Sequence, residues 1–318
     1  QASSALKLAE KLLQGLSVGG EFSSSATYLV ETAPMGKRGL TGSWANIGSM
    51  TGSLLGVGAA ALVTNIFDAE TLADWAWRLP FLGGALLGTV AILMRRNLQT
   101  SERFAQHDTG REQTSPLMQA FTVNLRETLL ALAFAASYGT CFYLCFVYLP
   151  EWLSGQDLLD RSTALVINTA MTVLVIPLMP LMAIVGDRVL ARRTWIGLAL
   201  LGLGLFAWPL YAWMMASGGT LASVIVFHLV TFTLLSVPLG SGPALFVEMF
   251  PESDRLSGYS VAFNLGMGVF GGLTPMIATG LIASTGFATA PAVYMTVACG
   301  FAVLCLTFVP DNSRSPLR

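Results

Sequence analysis

Glu21 stands inside a glycine-rich apolar run that begins Gln14-Gly-Leu-Ser-Val-Gly-Gly and continues to Tyr28, and a carboxylate in such a run needs a chemical reason. At 100° per residue, Lys11, Gln14, Ser17, Glu21, Ser24, Ser25 and Tyr28 share one helical stripe, with most of the apolar residues elsewhere. A carboxylate buried on that stripe holds a proton more readily, because desolvation penalises its charge. The chemistry this predicts is proton coupling, or retention of a cationic substrate. The plainer alternative is a structural hydrogen bond to a neighbouring helix. Lys11 lies farther along the same face, where snorkelling to the interface is its plainer fate.

A second pattern carries charge at helix ends. Val30-Glu31-x-x-Pro34-x-x-x-Arg38 recurs 217 residues later as Val247-Glu248-x-x-Pro251-x-x-x-Arg255, so the chain is built twice. A proline between acid and base ends each helix and leaves both charges able to reach partners. The alternative is that each pair only caps its own helix end.

A third group is aromatic and amide. Tyr138, Cys141, Cys145 and Tyr148 fall on one stripe, and rings facing a cavity hold a quaternary ammonium by cation–π attraction; packing is the competing explanation. Asn168, Asn264 and His228 are lone polar groups in apolar runs, and each must find a hydrogen bond, whether in a pocket or between helices. Gly48, Gly52 and Gly56 form a small-residue face for helix contact. Gly240, Gly242, Pro243 and Thr274-Pro275 are expected to interrupt their spans at membrane depth.

These residues need helices long enough to cross a bilayer, and the composition supplies them. Of 318 residues 54% are hydrophobic and only 11% charged, well below the soluble average of about 25% charged. The chain is read as an all-α membrane protein with nine spans, at about 7–31, 40–67, 76–94, 128–150, 163–185, 194–215, 221–248, 257–283 and 288–309, each near the ~20 residues a bilayer requires. If the first span runs inward, the inner loops and tail hold thirteen of the seventeen Lys and Arg, which places the C-terminus in the cytoplasm. Trp75, Trp77, Trp152, Trp195, Trp208 and Trp213 fall near span ends and are read as interfacial anchors. The net charge of −1, with no basic face, excludes nucleic acid as a partner. The four cysteines lie in apolar runs, form no metal-ligand grouping with the two histidines, and are read as apolar residues.

The polar stretch Arg95 to Glu127 divides the chain. Residues 1–94 form the end of a first half, 95–127 a cytoplasmic connector, and 128–318 a six-span second half with a short tail. If the halves are equal, three helices precede residue 1, and the 318-residue chain by itself is expected not to transport.

Two halves, a charged central loop and Gly186-Asp187-Arg188-x-x-x-Arg192-Arg193 resemble the major facilitator superfamily. Within it, Gln14-Gly-x-Ser-Val-Gly-Gly-Glu21, Gly42-Ser-Trp44, Asp74-Trp-x-Trp-Arg-x-Pro-Phe81 and Leu273-Thr-Pro275 resemble the metabolite:proton symporters, the group of proline/betaine, citrate, 2-oxoglutarate and shikimate carriers. The resemblance implies a major facilitator helical bundle with helices four to twelve of twelve present, in an inner or plasma membrane. It also implies that Glu31, Arg38, Asp187, Arg188, Arg192, Glu248 and Arg255 form a cytoplasmic gate, with Asp187 at its centre. The expected activity is symport of a small metabolite with protons as the coupling ion, without an organic cofactor or metal and without covalent chemistry. A zwitterionic osmolyte such as proline or betaine ranks above a di- or tricarboxylate. Candidate coupling and substrate residues are Glu21, Gln14, Lys11, Tyr28, Tyr138, Tyr148, Asn168 and Asn264. A membrane enzyme lacks its nucleophile and base here; a channel or a non-transporting sensor remains as an alternative that flux kinetics would separate.

Overall fold

A computed structural model describes residues 20–96 and 124–317. Eight helices among the described residues are long and apolar enough to cross a membrane; the expected span 7–31 is described only from residue 20. In order, α1 covers 20–31, α2 Arg38–Ile66, α3 Ala69–Asp74 and α4 Leu79–Arg96. After the central segment come α5 (Leu125–Phe142), α6 (Leu149–Gly155), α7 (Arg161–Arg188), α8 (Arg192–Ala216), α9 (Leu221–Met249), α10 (Arg255–Phe263), α11 (Gly272–Thr285) and α12 (Ala290–Phe308). Two π-helical stretches join elements into single spans: Tyr143–Tyr148 links α5 to α6, and Asn264–Gly271 links α10 to α11.

The chain forms two compact units. One is Ile47–Glu112, whose described part is most of α2 together with α3 and α4. There Asp68 accepts the N–H of Thr71 to start α3, and Arg78 lies over the Trp77 ring at 4.4 Å.

The other unit is Gln1–Asn46 with Gln113–Arg318. Its helices form a bundle in which α8 packs on α9 and α12, α9 on α7, and α5 on α10, α12 and the second π stretch. The faces follow from residue type. On α12, Val293, Val297, Phe301, Leu304 and Phe308 repeat at helical spacing on the exposed side, while Met295, Cys299, Ala302 and Leu306 are buried. Apolar stripes turned outward on this scale are where lipid belongs. Asp160 starts α7 by accepting the N–H of Thr163 at 2.8 Å, and that bond holds its carboxyl below the usual carboxylate range.

Three expectations need correction here. The spans predicted to break at Gly240, Gly242, Pro243 and Pro275 do not break there: α9 runs unbroken through Pro238 and Pro243 and α11 through Pro275, and the irregular turns lie at the two π stretches. The reason is that the bundle repairs what proline removes. Pro243 cannot donate to the carbonyl of Leu239, and the Asn46 amide donates to it instead at 2.7 Å. Gly240 serves contact rather than bending, since a Cβ there would meet the carbonyl oxygen of Met179 at 2.2 Å. Last, Trp152 is only 1% exposed. It donates to the carbonyl of Ala288 and packs edge-on against Tyr211, so it belongs to the core rather than to an interfacial belt.

Candidate functional site

Basic and acidic side chains converge where α1, α7 and α9 end and where α2, α8 and α10 begin. The prolines of the repeated motif explain why these ends meet the solvent boundary: α1 stops at residue 31 before Pro34, and α9 stops at Met249 before Pro251. Glu31 then reaches Arg255 at 2.6 Å, and Arg38 lies 3.6 Å from Glu248. Each motif copy thus supplies the acid for the other's base.

Asp187 joins this cluster from the end of α7. One carboxylate oxygen accepts the backbone N–H of Gly39 at 2.8 Å and the other that of Leu40 at 2.9 Å. These are free donors in the first turn of α2, where the helix dipole favours an anion. Gly39 is required for the approach, because a Cβ there would sit 2.7 Å from the Asp187 oxygen. Arg192 bridges Asp187 at 2.8 Å and Glu248 at 3.2 Å. Neither approach to Glu248 has hydrogen-bond geometry, so its hold on Arg38 and Arg192 is coulombic. The charges balance, with Glu31, Asp187 and Glu248 set against Arg38, Arg192 and Arg255, which is the condition for burying them together. The C-terminal segment crosses the same cluster: Asn312 donates to the carbonyl of Glu248 at 3.0 Å, and Arg38 donates to that of Ser315 at 2.8 Å. Arg188, expected in the network, is exposed and outside it among the described residues. It is the residue after Asp187, about 100° round the helix, and so faces away.

About one and a half to two and a half turns farther along, α1 and α10 are closed by smaller groups. The Ser23 and Ser260 hydroxyls are 2.6 Å apart, and the rings of Phe22 and Phe263 stack at 4.9 Å. Residue spacing did not single out any of these four. The signal for the serine was the run of small residues Ser23, Ala26 and Thr27, which makes the buried face of α1.

That same face corrects the reading of Glu21. It is exposed, together with Ser24, Ser25 and Tyr28, so the burial expected to favour its protonation is not found. The small residues, not the polar stripe, are what allow α1 to approach α10. Lys11 and Gln14 lie outside the described residues.

The aromatic stripe that runs from α5 into the first π stretch is buried but does not converge on one cavity. Tyr138 and Tyr148 are 2% and 6% exposed, yet ten residues separate them, roughly 15 Å along a helix. Tyr148 faces Thr279 at 3.4 Å, whereas Tyr138 lines a narrow cleft with Asn46, Phe246, Tyr259 and Phe263. Asn168 donates to the carbonyl of Phe146 at 2.9 Å, which Pro150 four residues on cannot serve. Asn264 donates to Ser260 within its own span. His228 is buried, with Nδ1 2.7 Å from the carbonyl of Val224.

The model of the Major Facilitator Superfamily matches residues 11–240. The chain is 27% identical to the ectoine/proline transporter ProP of Corynebacterium glutamicum over 96% of its own length and 63% of that protein. It is 25% identical to the glycine betaine/proline/ectoine/pipecolic acid transporter OusA of Dickeya dadantii, covering 98% of this chain and 64% of the relative. The proline/betaine transporter of Salmonella typhimurium is 26% identical, covering 97% and 63%. The chain therefore spans a little under two thirds of the length of these relatives. Among solved structures, the proton:xylose symporter XylE superposes with a TM-score of 0.73 at 17% identity, over 92% of this chain and 68% of that one, a likeness of fold.

Proposed function

We propose, for a chain that belongs to the major facilitator superfamily, that the whole protein is a proton-coupled symporter importing a zwitterionic osmolyte of the proline or glycine betaine class. The relatives' names support that substrate class over a di- or tricarboxylate. The process is translocation across an inner or plasma membrane, with the charged end and the C-terminus in the cytoplasm. No organic cofactor or metal takes part, and the small-molecule substrate and the proton are the species bound.

The observation that carries the mechanism is the exchange of partners between motif copies, Glu31 with Arg255 and Arg38 with Glu248. A carrier working by alternating access must close one mouth with contacts that both repeats give up together. Charge pairs at the mouth suit that role, because water solvates both members once they part. Asp187, seated on the first turn of α2, is the central element of the closed state. For coupling the candidates stay those of the sequence, Glu21 and Tyr28, which are exposed on α1, and Lys11 and Gln14, which lie outside the described residues. Each proton entering down 100 mV contributes about 2.3 kcal/mol to uptake.

The test is uptake of labelled glycine betaine and labelled citrate by cells expressing the complete gene, with and without a protonophore. Saturable, protonophore-sensitive betaine uptake is expected. Citrate uptake in its place would overturn the osmolyte assignment, and non-saturating flux would overturn the carrier.

A further inference from the structure

The cleft above the gate has a composition that the gating account does not use. Its walls include Asn46, Tyr138, Phe246, Tyr259 and Phe263. Among the described residues no Asp, Glu, Lys or Arg lines it. Phe246 and Tyr259 lie parallel, 5.1 Å apart, and Phe263 stands nearly perpendicular to both, at 84° and 72°. Three rings thus make a corner. Tyr259 lines the cleft, and its buried hydroxyl has no hydrogen-bond partner among the described residues, an unusual state for a group that ordinarily finds one. Gly242 also borders the cleft, and a Cβ added to it would meet nothing within 4 Å.

Walls of this kind select by charge. A dicarboxylate would need a basic side chain and a simple amine would need an acidic one. A molecule carrying both charges needs only ring faces for its ammonium and an O–H donor for its carboxylate. The rings supply the first and Tyr259 the second. The cleft is at present too narrow at every point to take the centre of a water molecule, and Phe22 covers one face of Phe263. Tyr259 lies four residues beyond Arg255, about 6 Å along the helix, so the motion that parts Glu31 from Arg255 also uncovers that face.

Resting on the symporter reading above, we infer that this corner is the release-side subsite for a net-neutral zwitterion. Its ammonium replaces the Phe22 ring against Phe263, and its carboxylate accepts the Tyr259 hydroxyl proton in a hydrogen bond.

The test compares wild type, Tyr259→Phe, Phe263→Leu and Gly242→Ala in the complete carrier. It measures KM for glycine betaine, inhibition by 3,3-dimethylbutyrate, which has the same carboxylate beside an uncharged tert-butyl group, and melting temperature. Tyr259→Phe deletes a hydroxyl without a partner, so melting is expected to stay unchanged while KM rises about tenfold. Phe263→Leu is expected to shrink the preference for betaine over this analogue, whose head group lacks the positive charge, at least about fivefold. Gly242→Ala is expected to raise KM without a change in melting, which keeps the inference testable if the ring variant folds poorly. A wild-type KM in both Tyr259→Phe and Gly242→Ala would overturn the subsite while leaving the symporter intact. Absence of betaine uptake by the wild type would overturn the symporter reading, and this inference with it.

Discussion

Glu31 at the end of α1 and Arg255 at the start of α10 form an ion pair of 2.6 Å, and they come from different copies of one sequence motif. The reciprocal pair, Arg38 with Glu248, is longer at 3.6 Å, and its second partner Arg192 ties it to Asp187. The charged cluster therefore has two parts, a direct pair and a relay that ends on the first turn of α2. Loss of Glu31 or Arg255 leaves the other member of the direct pair without its ion-pair partner, which costs about 3 kcal/mol or more, whereas in the relay Glu248 and Arg192 each have a second partner.

Asp187 and Gly39 are expected to behave as one unit. Asp187→Asn keeps the shape but weakens the hold on the two amides and Arg192, and Gly39→Ala drives a methyl toward the carboxylate. Both variants should open the charged end, read as faster alkylation of a cysteine placed at Ser23, which is buried. Each loss should amount to about 1–3 kcal/mol, and the double variant should be little worse than either single one.

Arg188 and Arg192 give a sharper contrast. Arg192→Ala removes a side chain that is 1% exposed and bridges two acids; uptake should fall at least about tenfold. Arg188→Ala removes an exposed charge, and uptake should stay within about twofold of wild type. Equal losses would show that the relay through Arg192 has no special weight.

Asn46 is expected to matter because of Pro243. Asn46→Ala leaves the Leu239 carbonyl without a donor and should lower stability by about 1–3 kcal/mol, measured by thermal unfolding in detergent. Pro243→Ala returns a backbone N–H to the helix, so the double variant should recover most of that loss. The same cycle applies to Asn168 and Pro150, through the carbonyl of Phe146.

The C-terminal segment should stabilise the closed mouth. Asn312→Ala removes its bond to the Glu248 carbonyl, a loss of about 1 kcal/mol, and should speed alkylation at position 23 roughly fivefold. An unchanged rate would mean that the segment only rests on the cluster.

Much of this arrangement was legible from residue types. Apolar runs located the spans to within a few residues, as with 163–185 against Arg161–Arg188, because hydrocarbon thickness sets a minimum length and charges mark the ends. The repeated acid and base were equally visible. Which copy each would pair with was not, since spacing along one chain says nothing about the crossing of two helices. Glu21 shows a related limit: a stripe of polar residues marks a face without saying whether lipid, solvent or protein lies against it. The small residues Ser23, Ala26 and Thr27 carried the better signal, because close helix approach demands them. Pro243 misled for a local reason, as proline costs a hydrogen bond only where no neighbour supplies a donor, and Asn46 comes from a distant segment. Arg188 was excluded in principle by helical geometry, since residues next to each other on a helix cannot both face the same partner.

The most direct test of the exchange between repeats is a charge swap in the complete carrier. Betaine uptake would be measured for Glu31→Arg, Arg255→Glu and the double variant, with protein level in the membrane as control. Each single variant places like charges together and is expected to abolish concentrative uptake, while the double variant should restore a substantial part of it. Full uptake by either single variant, or a double variant as inactive as the singles at normal protein level, would contradict the account.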